Sequence, residues 1–152
     1  MKIKTGKKIM RISHKKSRRL ISSNKYSQQS IVTMFLQMLN TVKLYHWKTS
    51  SYAQHKATDE LYANLNTNID TFVEIMLGKT SSRVNLTGQK SIPLMDYTNL
   101  TDFERTVEMY KKFMINMTND KSLNISSNSD LMNVKDEILG DLNKFTYLLT
   151  FK

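Results

Sequence analysis

The chain has 152 residues, enough for one domain with its own core, and its four Gly, one Pro and absence of Cys favour helix and exclude disulfide scaffolds and thiolate metal sites. No apolar run approaches the roughly 18 residues of a membrane span, and the N-terminus lacks the apolar stretch of a secretory signal, so no membrane partner is expected. Ten of the 23 Lys and Arg lie in the first 25 residues, which hold none of the 13 Asp and Glu, so the remaining 13 basic and 13 acidic residues make a neutral body behind a tail that carries the whole net charge of +10.

That tail is assigned to residues 1–26 and the body to residues 27–152. Its basic residues are Lys2, Lys4, Lys7, Lys8, Arg11, Lys15, Lys16, Arg18, Arg19 and Lys25. A block of like charge with few apolar groups repels itself and is expected to stay mobile until a polyanion binds it. DNA is the expected partner, held without sequence preference and released by salt, because each phosphate neutralised frees condensed counterions. A targeting role is the alternative: "HKKSRR" resembles a nuclear signal, and an acid-free basic N-terminus resembles a transit peptide.

From Gln28 the apolar positions take helical spacing, with Ile31, Met34, Phe35, Met38, Leu39, Val42 and Tyr45 on one stripe. Polar residues at Thr49 to Ser51 predict a break. A second helix is predicted from Tyr52 or Gln54 to Leu77, with Gly78 as its stop and Leu61, Leu65, Phe72 and Met76 inward. The segment from Lys79 to Asn99, with Gly88 and Pro93, reads as a crossover containing a short helix near Ile92 to Tyr97. Thr101 with Glu104 three residues on predicts the start of a third helix through Phe103, Val107, Tyr110, Met114 and Met117 to about Asn119. After a polar loop, Ser129 or Asp130 opens a fourth through Leu131, Val134, Ile138, Leu142, Phe145, Leu148 and Leu149. Methionines and aromatics at this spacing are expected in the core. The fold class that follows is all-α, a four-helix bundle with a long crossover between helices 2 and 3, as in ferritin-like folds.

The second helix also carries chemistry. With about 100° per residue and Asp59 set at zero, His55 falls near −40°, Asp70 near +20° and Glu74 near +60°, all on one face. Along the axis Asp59 and Asp70 stand roughly 16 Å apart, and His55 and Glu74 roughly 28 Å apart. Metal–ligand bonds of about 2 Å cannot bridge those gaps within one chain. Yet positions 59 and 70 share their midpoint, 64.5, with positions 55 and 74. A two-fold axis near Asn64 and Leu65 therefore sets Asp59 against the partner's Asp70 and His55 against the partner's Glu74, giving two sites in one homodimer. His46, ending the first helix, is a further nitrogen ligand. Imidazole with carboxylate suits iron, and also Zn or Mn.

These residues resemble a known family, the Dps miniferritins, which protect DNA in starved cells. Tyr45-His46-Trp47 is similar to that family's aromatic-His-Trp signature, His55, Asp59, Asp70 and Glu74 match its His-x3-Asp-x10-Asp-x3-Glu spacing, and "DEILGDLNKFTYLL" is similar to its last helix. The resemblance covers Gln28 to Leu149; the connection from His46 to His55 is shorter than in that family. It implies a dodecameric shell, iron oxidised by hydrogen peroxide as a ferroxidase at dimer interfaces, and DNA bound through a basic tail. It also implies His46, His55 and Asp59 from one chain with Asp70 and Glu74 from its mate. A cytoplasmic or nucleoid-associated location is the expectation, with nuclear, organellar and virion locations as alternatives. The functional alternative is a non-catalytic structural or DNA-packaging protein that keeps the bundle.

Overall fold

The computed structural model describes residues 26–124 and 127–151, so the basic segment 1–25 lies outside the described residues. The described residues form four helices, α1 (Gln28–Lys48), α2 (Tyr52–Thr80), α3 (Leu100–Thr118) and α4 (Ser129–Leu148), with a 3-10 turn at Lys121–Leu123. There is no strand among the described residues, and none of their helices is long and apolar enough to cross a membrane.

Three of the four helices, α1 to α3, begin where a short polar side chain accepts an orphan backbone N–H. Ser27 accepts from Ser30 and Ser51 from Gln54, which fixes the starts of α1 and α2. The predicted cap at Thr101 is replaced by Asn99, whose Oδ1 accepts from the Asp102 amide at 2.9 Å while its Nδ2 donates to the Asp102 carboxylate at 2.8 Å. That reciprocal pair uses the carboxylate already favoured in a first turn and begins the helix earlier than expected. Gly78 does not stop α2; the helix runs on to Thr80 and ends at Ser81, which takes φ 49° in the left-handed region. The short helix expected near Ile92 to Tyr97 is absent, because that stretch lies extended along α1 and spends its polar groups on it.

Side-chain bonds fix the topology. Gln28 at the start of α1 donates to Thr80 at the end of α2, and Tyr26 donates to the carbonyl of Phe113 near the end of α3. Lys79 reaches Asp130 at the start of α4, while Lys144 near its end reaches Glu60 near the start of α2. Every adjacent pair is thus antiparallel, and α2 and α3 run parallel across the diagonal. A chain with two parallel helices in succession must return the full length of the bundle between them. The crossover does so against α1: Ser82 bonds Gln28, Pro93 accepts from Gln37 in mid-helix, and Asp96 pairs with Lys48 at its end.

Between the helices, Ile31, Phe35, Met38 and Val42 of α1 interlock with Leu61, Leu65, Phe72 and Met76 of α2, Phe103, Val107, Tyr110 and Met114 of α3 and Ile138, Leu142 and Phe145 of α4. Phe35 meets Phe72 edge-on at 5.2 Å, and Tyr45 stacks flat on Phe103 at 4.0 Å. Tyr26, ahead of α1, is itself part of this core. The expectation that aromatics and methionines are all interior fails for Trp47, Tyr52, Met109, Tyr147 and Phe151, which are exposed. Met34, Leu39, Val134, Leu148 and Leu149 are half-buried at its edge.

Candidate metal centre

Two residues after His46 the first helix ends, and four residues before His55 comes the cap of the second, so both histidines stand at the one corner where α1 and α2 meet. Gln54 ties that corner together, its Oε1 accepting from Tyr45 at 2.9 Å and from Thr49 at 2.7 Å. The two imidazoles stack with centroids 4.0 Å apart and an interplanar angle of 23°. His46 is buried at 7% exposure, and His55 is exposed.

Their orientation is reciprocal. His46 Nδ1 lies 3.1 Å from the carbonyl oxygen of His55, and His55 Nδ1 lies 3.2 Å from the carbonyl oxygen of His46. A carbonyl can only accept, so both Nδ1 atoms carry the proton and donate. In the neutral rings each Nε2 then keeps a free lone pair. Thr58, fully buried, stands 3.2 Å from the same His46 Nδ1 and donates its own proton to the carbonyls of Gln54 and His55. Holding Nδ1–H with a backbone carbonyl is how proteins orient imidazoles that bind metal through the other nitrogen.

His46 Nε2 faces Asp59 Oδ1 at 3.9 Å. With the ring neutral, two acceptors confront each other at a spacing too long for a hydrogen bond, an arrangement that a cation between them relieves. The sequence-predicted residues therefore divide into two groups. His46, His55 and Asp59 come together at the α1–α2 corner. Asp70 and Glu74 stand exposed further along α2, past its middle. Among the described residues of a single chain, no three His, Asp or Glu side chains form a cluster able to hold an ion.

The sequence alone did not single out Thr58 or Gln54, although Thr58 three residues after His55 lies one helical turn on, within reach of it. Trp47 is 68% exposed, with Lys43 Nζ 5.9 Å from its ring and 4.6 Å from that of Tyr62. Beside the corner, Lys48 and Asp96 pair at 2.6 Å and bind the crossover to the end of α1.

The fold is an all-α four-helix bundle with a long crossover between α2 and α3, and His46, His55 and Asp59 stand at one of its corners. The chain belongs to a family of unknown function, DUF5856, whose model matches residues 46–149 and so spans all five candidate ligands. No curated protein and no solved structure matches it.

Proposed function

We propose that the protein is a Dps-like miniferritin that oxidises Fe(II) with hydrogen peroxide at a site shared between two chains and lies on DNA through its basic N-terminal segment. The observation that carries this reading is the pair of histidines held by each other's backbone carbonyls, with His46 Nε2 facing Asp59. Asp70 and Glu74, on the exposed face of the same helix and in two-fold register with Asp59 and His55, are the ligands a second chain brings. Two Fe(II) give up one electron each, and one hydrogen peroxide with two protons becomes two waters. Carboxylates from both chains offset the growing positive charge on the metal. Removing Fe(II) and peroxide together takes away both reactants of hydroxyl-radical chemistry beside the DNA.

The test is stopped-flow Fe(II) oxidation by peroxide without oxygen, comparing the wild type with Asp59→Asn/Glu74→Gln. We expect a fast phase in the wild type that slows at least tenfold in the variant. Equal rates in both, no faster than free iron, would remove the site. They would leave the second reading, a DNA-packaging bundle, which the charge of residues 1–25 supports by itself.

A further inference from the structure

The exposed face of α2 extends beyond the candidate ligands at both ends. Tyr52 opens the helix and is 77% exposed, the most exposed of the large apolar side chains among the described residues. At 100° per residue from Asp59 it falls near +20°, and Leu77, half-buried near the other end, falls near 0°. Both therefore lie on the stripe that holds His55, Asp59, Asp70 and Glu74. Positions 52 and 77 have their midpoint at 64.5, as do 55 with 74, 59 with 70, and the small pair Ala63 with Asn66. These four pairs share one point with Lys56 and Val73, a fifth pair on the same stripe that sets a charge against an apolar side chain. From its ends inward the stripe otherwise sets apolar against apolar, imidazole against carboxylate, carboxylate against carboxylate and small against small.

We infer that the occupant of this face is a second copy of the chain, and that Tyr52 closes the solvent end of each shared site by packing on the partner's Leu77. This rests on the dimeric site proposed above and adds a positioning residue to it. Tyr52 stands one turn from His55, so a ring laid across to the partner covers the opening beside His55 and the partner's Glu74. The flanks of the stripe agree with a covered face. On the α1 side lies a groove of about 350 Å³ lined by Lys43, Leu44, Trp47, Tyr62 and Leu94. On the α4 side lies one of about 450 Å³ where Ala53, Leu148 and Phe151 meet the charged Lys56, Asp59 and Glu60. Trp47 and Phe151 stand exposed in these mixed flanks, and a helix-to-helix pairing shelters them.

The chain has no cysteine, which makes the register directly measurable. Disulfides need Cβ atoms about 4 Å apart, and antiparallel pairing brings position 52 to the partner's 77 while holding the two copies of 52 roughly 38 Å apart along the axis. Tyr52→Cys/Leu77→Cys is therefore expected to give a reducible covalent dimer under mild oxidation, and neither single variant should. Ala63→Cys/Asn66→Cys reports the centre of the same face. Linking at the centre without linking at 52 and 77 overturns the role of Tyr52 and leaves the shared site standing. Linking at neither overturns both. As a second measurement, Tyr52→Glu is expected to weaken self-association at least tenfold in sedimentation with helix content unchanged; unaltered association would also overturn the closing contact.

Discussion

The hydroxyl of Tyr110 lies 2.7 Å from Thr41 Oγ1 in the middle of the bundle, and Thr41 in turn donates to the carbonyl of Gln37. Burial pushes this phenol up to about 12; the bond to Thr41 works against the rise, and Tyr97 adds to it. The unfolded chain releases the proton near pH 10, so between pH 10 and about 12 the native state holds more protons than the unfolded one. Stability from this group is complete below pH 10 and is lost as pH rises through that interval, by about 2 to 3 kcal/mol in all. Tyr110→Phe should cost about 1 kcal/mol at pH 8 yet lose less between pH 8 and 11 than the wild type. Urea denaturation at both pH values checks this, and identical losses would refute it. The site is legible at this scale only in part. Residue type and spacing expose His46, His55, Asp59, Asp70 and Glu74 as ligand candidates. The carbonyls that turn the two rings are invisible until the ends of α1 and α2 are brought together, because every residue has a carbonyl.

At the scale of elements, α3 offers the clearest test of where local chemistry decides. Thr101 was the expected cap, and the observed one is Asn99, which both accepts from and donates to Asp102. Asn99→Ala is expected to lower stability by about 1 kcal/mol, while Thr101→Ala stays within about 0.5 kcal/mol. Thermal denaturation of the two variants separates them, and the reverse order would show that Thr101 holds the cap. The four helices were readable because an apolar stripe at helical spacing has one burial solution, and their order along the chain follows from it. The crossover was not readable to the same degree. Its Pro93 carbonyl accepts from Gln37 and its Asp96 carboxylate pairs with Lys48, both on a helix more than forty residues earlier, and no local pattern announces such partners. Gly78 misled for a related reason: an exposed helix interior with open space beside it tolerates glycine at a cost of about 1 kcal/mol, which the packing of Phe72 and Met76 outweighs.

For the whole molecule, charge is separated from chemistry along the chain. The body is neutral and holds the candidate ligands, while residues 1–25 hold ten positive charges. Removing residues 1–25 is expected to abolish DNA retardation at low salt while iron oxidation and self-association continue. Gel retardation across a salt series reads the first and light scattering the last. Retardation that survives at the same salt would place the DNA contact on the bundle. Tyr26 must stay in such a truncation, since its ring lies 5.1 Å from Phe113 and its hydroxyl bonds the Phe113 carbonyl.

The antiparallel arrangement of every neighbouring pair sets the field inside the bundle. Each helix carries about half a positive charge at its N-terminus and half a negative one at its C-terminus. The corner that holds His46 gathers the last turns of α1 and α4 with the first turns of α2 and α3, two ends of each sign. The helix dipoles therefore cancel along the axis, and no backbone potential draws a cation to that end or repels one from it. In the site proposed above, attraction of a divalent ion therefore rests on carboxylates rather than on helix ends, so its affinity should follow the count of carboxylates and fall steeply as each is neutralised.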